Sequence, residues 1–350
     1  MISVMDILAK ESLTYEKIRN SVSVDNKIEE KNKVENGDLV FVRSSEASEE
    51  VGWAKAYLQD EYALYSGFSI RGKRKNNYDP YFVELSLNNV NRKQIESKAG
   101  GSTRFNVSQE ILNSIIIIEP SLDEQVKISS FFKHLDHLIT LHQRKLNNVK
   151  NLKAGLLQKM FPKERNEFPE VRFPEFTNAW EQRRLGELCN EFRSGEFIKA
   201  SDISTLGDYP VYGGNGIRGH ANAYNHDGEF ALIGRQGALC GNMQYSYGKA
   251  YFTEHAVAVS ANNENDTRFL YYLFGKMNLG QYSGQSAQPG LAVGNLIELK
   301  TLVPIKAEQS KISVLFSRLD HLITRHQCKL EHLQKQKKAL LQQMFVRWED

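Results

Sequence analysis

The feature that most constrains this chain is a long stretch that occurs twice. Residues 119–161, EPSLDEQVKISSFFKHLDHLITLHQRKLNNVKNLKAGLLQKMF, match residues 303–345, VPIKAEQSKISVLFSRLDHLITRHQCKLEHLQKQKKALLQQMF, without a gap at a constant offset of 184 residues. The hexapeptide LDHLIT is identical in the two copies, from Leu135 and from Leu319. That offset is too large for a solenoid unit. The chain therefore uses one module, a domain followed by a helix, two times.

Both copies carry a helical seam. In the first it runs Ile128, Phe132, Leu135, Ile139, His142, Leu146, Val149, Lys153, Leu156, Met160, in alternating steps of four and three. The second repeats it as Ile312, Phe316, Leu319, Ile323, His326, Leu330, Leu333, Lys337, Leu340, Met344. This is the spacing of a coiled coil, so each helix needs a helical partner. Pro120 and Pro304 stand just before the helices, and Ser121 or Asp123 can cap the first. A helix of ~40 residues is a rod of roughly 60 Å.

The two helices are expected to pair with each other. A parallel pair would make the chain travel the length of the rod between copies, whereas an antiparallel pair closes locally and loses less entropy. The expected architecture is α+β. Two globular domains of mixed strands and short helices are joined by two long helices in an antiparallel coiled coil, with an approximate two-fold relation. The corresponding boundaries are 1–119 and 164–303 for the domains, and 120–163 and 304–350 for the helices. Within each seam the histidine and lysine are read as register-setting polar residues, the lysine snorkelling outward. A metal site on His134, His137 and His142 is disfavoured, because the second copy has Arg318 in place of His134.

Charge is unevenly spread. The net charge is +3, yet residues 121–163 hold eight Lys/Arg against three Asp/Glu, and residues 305–350 hold nine against five. The helices are therefore basic and the remainder acidic, so contact with a nucleic-acid backbone in the domains requires local patches. Cys189, Cys240 and Cys328 have no ligand-like spacing and read as reduced thiols. The longest apolar run, residues 115–118, is too short to cross a membrane, and no leader is apparent at Met1. A cytoplasmic protein without membrane contact is expected.

Along the chain, DNKIEEKNKVENGD from Asp25 reads as a polar loop and DLVFVR from Asp38 as a strand. SIRGKRKNN, residues 69–77, gathers Arg71, Lys73, Arg74 and Lys75 in an exposed loop. Such a loop either solubilises or contacts phosphates. Tyr78-Asp79-Pro80-Tyr81-Phe82 resembles the Asp-Pro-Pro-Tyr loop of amino-methyltransferases, but the second proline is missing and no glycine loop precedes it. It reads instead as a helix start with Pro80 at the first position. GGSTRF presents Arg104 on a loop, and the isoleucines of residues 115–118 read as a strand.

Residues 162–176 form a proline-punctuated hinge leading to Trp180 and a short helix at LGEL, residues 185–188. The second domain is rich in glycine and aromatics. Its YPVYGGNGIRG, carrying Tyr212, Asn215 and Arg218, spells a dinucleotide fingerprint, but HANAYNHDGE follows at once and supplies neither a helix nor the acidic partner. That reading is rejected. Residues 229–233 read as a strand, and Gly234-Arg235-Gln236-Gly237-Ala238 as a turn. Taken alone it is an ordinary β-turn, although Arg235 and Gln236 are the side chains that read guanine and adenine edges.

RFPEFTNAWEQRRLGEL, YPVYGGNGIRG, ALIGRQGALCGN and the two copies of EQxKISxxFxxLDHLIT are together similar to the specificity subunit of type I restriction–modification systems. The resemblance spans nearly the whole chain. It implies two target-recognition domains, each reading half of a bipartite site in double-stranded DNA. It further implies a helical spacer that docks two methyltransferase subunits, and a motor-restriction subunit that joins for cleavage. It implies no chemistry and no cofactor for this chain itself, in line with a sequence lacking a Walker loop, a triad, zinc spacing and a methyl-donor site. Arg71, Lys73, Arg74, Lys75 and Arg104 in the first domain, with Tyr212, Asn215, Arg218, Arg235 and Gln236 in the second, become the expected DNA-facing residues.

One departure stands out. RFPEFTNAWEQRRLGEL has no counterpart ahead of the first domain, whose Gly37-Asp38-Leu39 matches Gly228-Glu229-Phe230. The first recognition domain is thus expected to be shortened at its N-terminus. The competing reading is an inactive or silent cassette, or a helical scaffold that binds no DNA itself.

Overall fold

The computed structural model describes residues 1–163, 166–237, 239–284 and 290–346. The chain forms two compact units, Met1–Arg144 with Gln327–Asp350, and Lys145–His326. Two helices of 38 residues, Leu122–Lys159 and Lys306–Gln343, contribute to both. Ser121 Oγ accepts from Glu124 N at 3.4 Å and begins the first.

In the first unit a three-stranded antiparallel sheet has Leu39–Val42 at its centre, flanked by Ala54–Ala56 and Ser69–Gly72. Successive side chains on a strand face opposite ways. Leu39 and Phe41 accordingly join a core with Phe82, Ile95, Phe132 and Phe345, while Val40 and Val42 join Ile2, Ile7, Val34 and Tyr57 on the other face. Both faces are covered, which explains the lack of polar alternation in DLVFVR. The edge strand Ala54–Ala56 is satisfied by helix Pro80–Asn88. Glu84 Oε2 accepts from Ala56 N at 2.8 Å, and Asn88 bonds both the N–H and the carbonyl of Ala54. Burial pushes the Glu84 carboxyl up, opposed by Lys55 and the Ala56 N–H.

That helix starts as the sequence indicates. Asp79 is its N-cap, Pro80 its first residue, and Asp79 Oδ1 accepts from Phe82 N at 2.8 Å. Three local readings are corrected. Residues Asn26–Asn32 are a helix rather than a loop. Residues Ser69–Gly72 are a sheet strand with Ser69 and Ile70 buried, so the exposed loop begins only after Gly72. The isoleucine run 115–118 makes no strand. It is irregular backbone that turns Ile115 and Ile117 into the core and leaves Ile116 and Ile118 exposed.

The second unit holds a six-stranded sheet ordered Gly216–Ala221, Tyr209–Gly213, Met243–Phe252, His226–Gly234, Ala256–Ala261, Cys189–Ser194. Only Tyr209–Gly213 with Met243–Phe252 is parallel. One face packs Ala231, Ile233, Val257 and Val259 under helix Thr267–Met277, with Phe161 just past the first long helix and Phe316 on the second. The other packs Phe230, Leu232, Phe252 and Ala258, with Tyr212 at its margin. The expected short helix at 185–188 is a 3-10 turn, and residues 229–233 lie within the central strand.

Each unit fastens its capped helix to a long helix in the same way. Asp79 N donates to Gln125 Oε1, Gln125 Nε2 to the Pro120 carbonyl, and Ser129 Oγ bonds Asp79 Oδ1. In the second unit Asp266, Gln309, Pro304 and Ser313 repeat this network bond for bond, and Asp266 caps its helix through Phe269 N.

Within each unit the long-helix segments run antiparallel. The first unit pairs Asp136 with Lys337 and Phe132 with Phe345, and the second pairs Lys153 with Asp320 and Phe161 with Phe316. The seam holds except at its last position. In the second copy Met344 is exposed, and Phe345, just past the helix end at Gln343, turns in to stack on Phe82 at 4.9 Å.

Candidate nucleic-acid interface

In the second unit, backbone contacts gather several loops at one end of the sheet. The hairpin turn Gly214-Asn215 joins two strands, with Gly216 at φ +102°, a conformation suited to glycine. The turn sits so close to Gly234 that a Cβ there would lie 2.3 Å from the Gly214 carbonyl oxygen. Arg235 N donates to the His255 carbonyl at 2.9 Å, and its own carbonyl accepts from Leu291 N. Thr253 N donates to the Tyr212 carbonyl, and Glu196 forms a bridge with Thr253. Asn215, Arg218, Arg235 and Gln236 are thereby brought together, on a frame fixed by main-chain bonds.

Their side chains differ in freedom. Asn215 and Arg218 are exposed, and the Arg218 stem lies across Gly213, where a Cβ would meet its Cδ at 2.5 Å. Among the described residues the Arg235 side chain makes only a long contact to the Glu254 carbonyl, at 3.5 Å. Gln236 Oε1 lies 3.1 Å from His255 Nδ1. Tyr212 is different. Its ring stands edge-on to Phe252 at 5.8 Å and serves the core as much as the surface. Sequence reasoning missed His255 and Phe197. Phe197 is 71% exposed, its carbonyl held by Tyr251 Oη, at the same end of the sheet. Its one signal was an aromatic two residues after Gly195.

In the first unit the expected residues are not brought together. Arg71 Nε donates to Asp38 Oδ2 at 2.7 Å and its terminal nitrogen to Glu35 at 2.8 Å, so the charge is used inside the fold. Arg74 caps its own loop through Asn77 Oδ1 and the Tyr78 carbonyl, stacked over the Tyr78 ring. Lys73 and Lys75 are exposed beside it. Arg104 lies elsewhere, at the Ser69 end of the strand whose Gly72 end leads to Lys73. Its Nε donates to Ser44 Oγ, and it lines a cavity of about 490 Å³ with Phe68, Glu46 and Glu50. With Leu39 matched to Phe230, Ser44 takes the place of Arg235. Arg104 and the exposed Arg43, which sequence reasoning missed, thus occupy the end that bears the second unit's cluster. Lys73, Arg74 and Lys75 occupy the other end.

Among the described residues, no group of three or more His, Cys, Asp or Glu side chains could hold a metal ion, and no helix is long and apolar enough to cross a membrane.

A helix that occurs twice, each copy fastened by the same aspartate, glutamine and serine network to a sheet-bearing unit, is the frame on which these candidate residues sit. The chain belongs to the type I restriction–modification DNA specificity family, whose model matches residues 9–151 and 178–335. Such subunits recognise DNA and are not themselves catalytic. The type I restriction enzyme EcoprrI specificity subunit of Escherichia coli is 45% identical over 156 residues, 43% of this chain and 39% of that protein. A putative specificity subunit of Haemophilus influenzae is 26% identical over 145 residues, 41% of this chain and 38% of its own length. The chain thus matches about two fifths of the length of each. The putative MjaX specificity subunit of Methanocaldococcus jannaschii is 23% identical over 87% of this chain and 76% of its own. The crystal structure of a type I system S subunit from M. genitalium has the same fold, with TM-score 0.70 and 18% identity over 91% of this chain and 86% of that one.

Proposed function

We propose that this chain is the DNA-reading subunit of a type I restriction–modification complex in the cytoplasm. Each unit reads one half of a bipartite site, and the repeated helices dock two methyltransferase subunits and a restriction subunit. The observation that carries this reading is the braced cluster of Asn215, Arg218, Arg235 and Gln236 at one end of the second sheet. Arginine and glutamine on a fixed frame can make paired hydrogen bonds to guanine and adenine edges. Arg43 and Arg104 at the matching end of the first sheet offer the second reading surface.

Sequencing the methylated positions in cells that carry this subunit with its methyltransferase tests the proposal. A bipartite motif that changes at one half when the second unit's cluster is altered supports it. Methylation with no dependence on this chain sinks it.

The first sheet has three strands where the second has six, and this favours a second reading in which the first unit contributes only assembly. A motif with a single specified half would select that reading. Loss of DNA binding with steep salt dependence belongs to the first reading, and association with protein alone to a pure scaffold.

A further inference from the structure

The two copies of the repeated helix begin with the same residues but are covered differently. At the start of the second copy, Glu308 is 1% exposed and accepts both arms of the Arg172 guanidinium at 2.8 and 2.7 Å. Phe173 and Leu315 are partly buried against the same core, and Phe173 lines an open pocket together with Ser310, Lys311, Val314, Leu315 and Arg318. Lys311 pairs with Glu175 and sits over the Phe176 ring. The segment that does this, VRFPEF of residues 171–176, is joined to the end of the first helix by a bond from Val171 N to the Lys159 carbonyl. It straps the helix with an arginine, an aromatic, a carboxylate and a second aromatic, in that order.

At the start of the first copy the equivalent positions are Glu124, Val126, Lys127, Ser130, Phe131 and His134. Among the described residues nothing covers them. Glu124 and Lys127 are exposed with no ion pair, and Val126 and Phe131 are 48% and 46% exposed. This face keeps the glutamate and the lysine that receive the strap in the other unit. At the position of Leu315 it carries the larger Phe131.

We propose that the Glu124–Phe131 face is a docking site for an extended segment of a partner protein with the strap's chemistry, an arginine followed by an aromatic and then an acidic residue. Its arginine chelates Glu124 in the bidentate manner that Arg172 chelates Glu308. The aromatic covers Val126 and Phe131, and the carboxylate meets Lys127. The inference stands on the internal repeat and holds whether or not the DNA reading does.

The test uses the full chain and a synthetic peptide of residues 166–180 as the probe, with binding followed by calorimetry or fluorescence anisotropy. Saturable binding at one site is expected, weakened roughly tenfold or more by Glu124→Arg and also weakened by Phe131→Ser. A peptide with glutamate in place of its arginine should bind the Glu124→Arg chain better than the unaltered peptide does. Both substituted residues are exposed, so far-ultraviolet circular dichroism should stay that of the parent. No binding, or binding indifferent to Glu124→Arg, overturns the proposal. Binding that emerges only after deletion of residues 347–350 also overturns it, because the chain would then be covering the face itself.

Discussion

Lys337 Nζ lies 2.5 Å from Asp136 Oδ1, and 184 residues away the same two positions pair again with the helices exchanged, Lys153 to Asp320. Both aspartates also accept a tyrosine hydroxyl, Asp136 from Tyr81 and Asp320 from Tyr272. The tyrosines are not equivalent residues, since Tyr81 is in the first turn of its helix and Tyr272 is a turn further on. Burial, with the carboxylate beside it, raises each phenol above its ordinary range and keeps it a donor.

Asp136→Ala should therefore lower the stability of the first unit by about 1–2 kcal/mol, read as a shift in the urea midpoint. It strands a half-buried ammonium and a buried hydroxyl. Tyr81→Phe should cost less, and the exchange Asp136→Lys with Lys337→Asp should recover part of the loss. If all three left the midpoint unchanged, the pair would be a surface contact without weight.

The caps are a sharper case. Asp266 accepts from Phe269 N, from Ser313 Oγ at 2.7 Å and from Ser310 Oγ at 3.1 Å. Asp266→Ala should cost about 2 kcal/mol, the upper end for a cap, because it also strands the serine hydroxyls. In a double-mutant cycle with Ser313→Ala the two effects should fall short of additive. Full additivity would mean that the serine bond contributes nothing.

The repeat, the seam and the Asp-Pro helix start were legible because each is a local pattern with one structural meaning. Arg71 was not. A run of basic residues reads as a patch until the partners are known, and Glu35 and Asp38 lie more than thirty residues away in sequence. Arg104 shows a different limit, since only strand register reveals that it lies at the Ser69 end and Lys73 at the Gly72 end of one strand. The cluster of Asn215, Arg218, Arg235 and Gln236 depends on glycine contacts between two turns, for which sequence offers only the glycines themselves.

Thiol chemistry gives an independent check of burial. Burial pushes the Cys189 thiol up to about 12, whereas Cys328 is exposed. At pH 8 a maleimide should label Cys328 quickly and leave Cys189 untouched until the chain unfolds. A thiol whose pKa rises on folding adds stability that is full below its unfolded pKa of ~8.5 and is lost as pH climbs toward the folded value. Stability should thus fall on the alkaline side, and less so in Cys189→Ala measured against its own neutral value. Rapid labelling of Cys189 in the native chain would contradict the packing of the second unit.

The two arginines that sequence alone treats alike should separate by experiment. Arg218 is exposed on the hairpin, and its side chain makes no hydrogen bond or ion pair among the described residues. Arg218→Ala should leave thermal stability within about 0.5 kcal/mol of the parent. If it touches a base, it should weaken binding by ~1–3 kcal/mol and relax one position of the motif. If it touches a phosphate, it should weaken every sequence alike and reduce the salt slope by about one. Arg71→Ala should do the reverse, because it leaves Asp38 buried without its partner and loosens the strand from which the first sheet is built. Its cost should appear as a loss of about 3 kcal/mol in stability, with the salt slope of DNA binding unchanged wherever the chain remains folded. Measuring denaturant midpoints and salt titrations on both variants decides the matter. A stable Arg71→Ala chain with a shallower salt slope would return Arg71 to the DNA-facing set and remove its structural role in the first sheet.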